Sequence, residues 1–259
     1  MDWDSLTQEV KGRYKSLLEE GADPNEWAYA WRSEFNRGGF KAVDMLMDEV
    51  VNAGKCVGCA ACVTICPVDV FDYENEKPLD TRDDACVFCE LCVDACPVLR
   101  PTDQDLHEQI QLREPIKDDG FGPYNYGVLA RTTKEYISKE GQDGGICSAL
   151  IIHGMQEGTI KAAVVGDEDP DDPSIGYARL ATTEDEVMNS VRSRYTYQPN
   201  TVTLVEAMKQ DIGPLAVVGV PCQVDGVRQQ QYSRIRSDVA EWYRENISLG
   251  IGLFCSDAF

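Results

Sequence analysis

Eight of the eleven cysteines in this chain of 259 residues fall in two runs of identical spacing, and that repetition constrains the fold more than any other feature. Cys56, Cys59, Cys62 and Cys66 precede Pro67, and Cys86, Cys89, Cys92 and Cys96 precede Pro97, so C-x2-C-x2-C-x3-C-P occurs twice. The start, MDWDSLTQEV, lacks the basic and apolar stretches of a secretory signal, so an intracellular, reducing setting is expected. Thiols in such a setting are read as metal ligands or redox groups before disulfides. Zinc would draw four ligands in pairs, which two C-x2-C-x2-C-x3-C-P runs fit poorly. The short loops suit a cube: three thiolates wrap one corner while backbone N–H groups point at the sulfurs, and the proline then turns the chain away.

That spacing is the bacterial two-cluster ferredoxin pattern, in which the fourth cysteine of each run ligates the other run's cluster. One [4Fe-4S] cluster is then expected on Cys56, Cys59, Cys62 and Cys96, and the other on Cys86, Cys89, Cys92 and Cys66. VFDYENEKPLD, between the runs, alternates and turns like a short hairpin.

Charge narrows the function classes. Twenty-four Lys and Arg against 45 Asp and Glu give a net charge of −21, so no basic face is available for nucleic acid. The excess is read as a solvated, solubilising surface. No run approaches the ~18 apolar residues of a spanning helix, so a cytoplasmic protein without a transmembrane segment is expected. His107 and His153 are the only histidines and receive no role. The acidic loop GDEDPDDP at 166–173 lacks an EF-hand pattern and is read as a solvated turn.

An α+β and α/β chain of four parts is expected. Residues 1–52 form a helical extension: Asp23 before Pro24 looks like a helix start, and Trp27, Trp31 and Phe35, then Phe40, Val43, Met47 and Val50, keep apolar spacing. This stripe is read as packing on the rest of the chain, ahead of docking a partner. Residues 53–100 form the ferredoxin domain, and 101–126 a linker ending in the turn-rich IKDDGFGPYNYG. In 127–259, GVLARTT, KAAVVG, LAVVGV and ISLGIGLFC alternate with helices near 144–157, 184–191, 200–211 and from Cys222, as an α/β domain with a mostly parallel sheet would.

Three thiols remain. Cys222, after Pro221, and Cys255 each follow a buried-type strand, where open sheets hold ligands, and Cys147 enters a helix. The dipole of the helix opened by Cys222 is expected to stabilise a thiolate. Ligation of a further cluster, redox chemistry and simple packing all stay open. Gly141-Gln142-Asp143-Gly144-Gly145 is no GxGxxG, yet it offers bare backbone at a helix start for a phosphate or flat ring.

GQDGGICSAL (141–150), SRYTYQPN (193–200), VVGVPCQVDGVRQ (217–229) and GIGLFCSDAF (250–259), in order behind the two cysteine runs, resemble the coenzyme F420 hydrogenase/dehydrogenase beta-subunit family. The resemblance covers about residues 53–259 and implies an FAD-binding domain that exchanges a hydride with coenzyme F420, its substrate, and single electrons with iron–sulfur clusters. By motif, Gln142, Gly144, Gly145 and Ser148 would line the flavin, with Arg194, Tyr195 and Asn200 as a second segment, Arg replacing a Lys of some members. Pro221, Cys222 and Cys255 match positions at or near an additional [4Fe-4S] cluster. Members usually run past this point and supply further cysteines, so the third cluster and the completeness of the flavin pocket are left open.

The implied role is a converter. A deazaflavin gives up a hydride and a cubane takes one electron, so a flavin must stand between them, and no side chain need act as an acid or base. The partner would be an oxidoreductase subunit of hydrogenase, formate dehydrogenase, heterodisulfide reductase or membrane dehydrogenase type. Two rivals stand beside this: a flavin-free ferredoxin-type adaptor, and a related reductase acting on a tetrapyrrole.

Overall fold

A computed structural model of the chain describes residues 41–99, 124–172, 174–196, 198–233 and 237–255. The helix start at Asp23-Pro24, the aromatic stripe from Trp27 to Phe40 and most of the expected linker lie outside these residues. The part of the stripe that is described packs on its own chain. Helix α1 (Ala42–Leu46) runs on through a wider π-helical turn at Met47–Val51. Val43, Leu46 and Val50 are buried against Cys62, Val70, Phe71, Cys92 and Cys96.

The cysteine runs form a pseudo-symmetric module. Helix α2 (Ala61–Ile65) follows the first three thiols of one run, and α3 (Leu91–Asp94) occupies the same place in the other. Gly58 and Ala60 take left-handed backbone at φ 64° and 57°, and their counterparts Phe88 and Glu90 do so at 58° and 63°. For a bulky residue such as Phe88 that conformation is unfavourable, so the loop's shape is imposed by its surroundings. Strands β1 (Asp72–Glu74) and β2 (Lys77–Leu79) pair antiparallel, with Asn75 and Glu76 both at positive φ as a tight hairpin turn requires.

The second domain is a four-stranded mixed sheet ordered β4-β3-β5-β6. Strands β3 (Ala162–Glu168), β5 (Leu215–Gly219) and β6 (Ile247–Gly252) are parallel, while β4 (Gly176–Ala181) runs antiparallel beside β3. Two of three pairings are therefore parallel, and the hairpin to β4 departs from the expected pattern. GYARLA gave little sign of it, being an edge strand that is mostly only half-buried. GVLARTT is not a strand: Val128 and Leu129 are 74% and 105% exposed, and the segment runs beside the glycine loop, with Thr132 N donating to Gly144 O at 2.9 Å.

Helices α5 (Ile146–Gln156), α6 (Glu184–Asn189), α7 (Asn200–Lys209) and α8 (Pro221–Gln231) fall where the spacing predicts them. Helices α4 (Glu135–Glu140) and α9 (Ser237–Asn246) were not foreseen. The apolar runs of β3 and β5 are buried on both faces because the pleat sends alternate residues to opposite layers, whereas ISLGIG, expected to be a buried strand, is the edge strand β6 and is exposed at alternate residues. Ala162, Val164, Leu215 and Val217 face Leu204, Val227 and Tyr243 together with Cys59, Ile65 and Leu91 of the ferredoxin module. Ala163, Val165, Ala216 and Val218 face Ile137, Ile151 and Val187. One core thus joins the two domains.

A capping box starts α6: Thr183 Oγ1 accepts from Glu186 N at 3.3 Å, and Glu186 Oε2 accepts from Thr183 N at 3.0 Å. The N–H of Thr182, first among these contacts, holds the Glu186 carboxyl below the ordinary range. Thr183→Ala is expected to cost about 1 kcal/mol of stability, read as a lower midpoint in urea. No change in midpoint would show the box to be dispensable.

Candidate metal centre and cofactor-facing loops

The eight cysteines divide between two cavities. The first, about 330 Å³ of unfilled space including its mouth, is lined by Cys56, Cys59, Cys62 and Cys96 among Leu46, Val50, Pro78 and Val98. The second, about 310 Å³, is lined by Cys66, Cys86, Cys89 and Cys92 among Val43, Val68, Phe71 and Leu91. Each therefore takes three thiols from one run and the fourth from the other. The two are close in size, as a repeated unit demands. The thiols surround a space instead of closing on a point: among the described residues no three His, Cys, Asp or Glu side chains converge as a single metal ion would need.

Backbone amides aim at the sulfurs. Val70 N donates to Cys66 Sγ at 3.4 Å, and the N–H groups of Ala61 and Leu91 act at the equivalent thiols Cys59 and Cys89. Tyr73 Oη donates to Gly58 O at 2.8 Å and fixes the first loop. Loss of water dominates the electrostatics. Burial pushes the Cys59 thiol up to about 12 and raises Cys62, Cys92 and Cys96, with neighbouring thiols adding in each case. Such thiols become thiolates when a cation balances the charge, so metal binding here releases protons. Four thiols around a mostly apolar space, with backbone amides directed at sulfurs, fit a [4Fe-4S] cubane.

The remaining thiols separate. Cys222, second residue of α8, lies 3.9 Å from Val57 O beside the first cavity, and Cys255 is close enough to act on its charge. The expected thiolate is not favoured, because burial outweighs the N–H of Gln223 and raises the Cys222 thiol. Cys147 packs against the Ile137 and Ile151 core instead, and burial alone takes its thiol to about 11.

The two segments expected at a flavin lie side by side. Gln142 Oε1 accepts from Ser193 N at 3.0 Å, and Arg192 pairs with Glu140 at 2.9 Å. The glycines serve the chain's own turn. Gly144 and Gly145 have φ of 96° and 67°, and a Cβ there would come to 3.0 Å from Ala130 O and from Ile137 Cγ2. Ser148 is half-buried on α5. Arg194 closes α6, its terminal nitrogens donating to the carbonyls of Asn189, Ser190, Val191 and Arg192. Those carbonyls would otherwise be orphaned at a helix end. Its buried Nε has no hydrogen-bond partner among the described residues and lies 3.9 Å from Glu168. Tyr195 is 59% exposed. Asn200 donates to Val218 O at 2.7 Å, while its buried Oδ1 has no hydrogen-bond partner among the described residues. Gln223, not anticipated, ties this corner together by accepting from Val220 N and donating to Gln198 O. Its position two residues after Pro221 was the available signal.

Residues 128–204 match the pattern described as Coenzyme F420 hydrogenase/dehydrogenase, beta subunit N-term, and residues 213–259 match that family's C terminus. The chain belongs to the coenzyme F420 hydrogenase/dehydrogenase beta-subunit family. In this member a 4Fe-4S dicluster domain, matched over residues 55–100, precedes the family's two parts. The uncharacterized protein MJ1349 of Methanocaldococcus jannaschii is 27% identical over 85% of this chain and 64% of its own length. The coenzyme F420 hydrogenase subunit beta of Methanosarcina barkeri is 34% identical over 56% of this chain and 48% of its own length. A coenzyme F420-dependent sulfite reductase of Methanocaldococcus jannaschii is 26% identical over 82% of this chain and 32% of its own length. The chain thus spans less than two thirds of the length of each of these relatives. Among the described residues, no helix is long and apolar enough to cross a membrane.

Proposed function

We propose that the chain is an iron–sulfur flavoprotein subunit that exchanges a hydride between coenzyme F420 and FAD and passes single electrons through two [4Fe-4S] clusters to a partner oxidoreductase. The observation that carries this is the division of eight thiols into two cavities, both of which share lining residues with the core of the family's α/β domain. Cys56, Cys59, Cys62 and Cys96 would hold one cluster, and Cys66, Cys86, Cys89 and Cys92 the other. A cubane takes and returns one electron at a time, whereas a flavin handles both a hydride and single electrons.

The chain's own part is placement. Gln142 holds the 141–148 turn against 193–200, and Asn200 has a buried oxygen without a hydrogen-bond partner among the described residues in the same corner. That oxygen is an acceptor suited to a flavin's ring N–H or ribityl hydroxyls. Gly144, Gly145 and Arg194 would contribute through backbone and shape, Tyr195 through an exposed hydroxyl and Ser148 through a half-buried one. Pro221 starts α8 so that Cys222 stands at the domain junction, and Cys222 with Cys255 forms the start of a third metal site.

The adaptor reading keeps one specific support: the terminal nitrogens of Arg194 are spent on α6 and chain atoms fill the space beside the glycines. Flavin content separates the two. Anaerobically purified protein with intact clusters is expected to carry or take up about one FAD per chain, read by absorbance after acid release. A chain that holds iron and refuses FAD is the adaptor. Iron near eight atoms per chain marks two cubanes, and near twelve a third.

A further inference from the structure

The two cysteine runs share one spacing and the same pair of left-handed backbone positions, so the first-run and second-run loops start out alike. The α/β domain makes them differ. Helix α7 presents Thr201, fully buried, whose Oγ1 donates to Cys59 O at 2.5 Å. Helix α8 presents Gly226, where a Cβ would lie 3.0 Å from Ala61 Cβ and 3.7 Å from Cys59 Sγ. Farther along α8, Gln230 Nε2 donates to Thr64 Oγ1 at 3.1 Å. All three contacts fall on residues 59–64, which hold two ligands of the first cavity. The second cavity opens beside Val87, which is 55% exposed.

We propose that Thr201 and Gly226 are positioning residues that set the reduction potential of the group held by Cys56, Cys59, Cys62 and Cys96, and so make two like sites unequal. This rests on the reading that both cavities hold clusters. The donor on Cys59 O withdraws negative charge beside a ligand, and the bare Gly226 keeps water from that sulfur by letting α8 close on it. Hydrogen bonding and exposure are what tune such potentials. Thr201→Val keeps the shape and removes the donor, so added negative charge is less well tolerated and the potential falls.

The test is a potentiometric titration of the anaerobically purified full chain, followed by EPR, with iron counted in every sample. In T201V one midpoint potential is expected to fall while the other stays, Thr201→Ser restores it, and Gly226→Ala moves the same midpoint. Two unmoved midpoints, an equal shift in both, or a T201S protein that behaves like T201V overturns the proposal. If the parent protein binds no iron, the cluster reading beneath it is overturned as well, and iron counting separates the two failures.

Discussion

Replacing Cys56 and Cys96 together by alanine is expected to leave about half of the bound iron, and replacing Cys66 and Cys86 together is expected to do the same. Replacing Cys56 and Cys66 together removes nearly all of it. The difference follows from where the fourth thiol of each run sits: Cys96 lines the cavity of Cys56, and Cys66 lines the cavity of Cys86. Losing two ligands of one cubane empties one site and spares the other, whereas losing one from each empties both. Iron and acid-labile sulfide, counted per chain after anaerobic purification, read the outcome. If the Cys56 and Cys66 pair cost no more iron than the Cys56 and Cys96 pair, each run would hold its own cluster and the crossed arrangement would be wrong.

The second large effect concerns the shared core. Leu204 on α7 is fully buried among Ile65 and Leu91 of the ferredoxin module and Leu215 of the sheet. Leu204→Ala removes three side-chain carbons from a site walled by both domains, where neighbours on either side resist collapse. A loss of ~2–5 kcal/mol is expected. Because the core is common, far-UV circular dichroism and iron–sulfur absorbance should shift together to lower denaturant in an anaerobic guanidinium titration. Helix content lost well before the cluster absorbance would show two domains that fold independently.

Much of this was legible in the residues. The cysteine spacing placed the fourth thiol of each run with the first three of the other, and the linings of the two cavities follow that grouping; that each group holds a cluster is the proposal the iron counts test. VFDYENEKPLD predicted the hairpin, and LAVV predicted a strand buried on both faces, while ISLGIG, read the same way, lies at the sheet edge with alternate residues exposed. The errors have local causes. GVLARTT has the apolar run of a strand but lies against the glycine turn, leaving Leu129 exposed. GYARLA lacks strong alternation because it is an edge strand held chiefly by pairing with β3. Arg194 matched a motif, but no pattern of residue types announces that its guanidinium closes a helix. The contacts of Thr201 and Gly226 with Cys59 span more than 140 positions, and local spacing carries no sign of them.

The central claim is that paired electrons enter at one end of this chain and leave singly. Its most direct test is an anaerobic titration of the iron- and FAD-loaded protein with reduced coenzyme F420, monitored by flavin absorbance and by EPR of the clusters. The account predicts that the flavin band bleaches and that each reductant molecule delivers two electrons, shared between flavin and cluster signals. Clusters that respond to dithionite while reduced F420 leaves both flavin and clusters unchanged would contradict it.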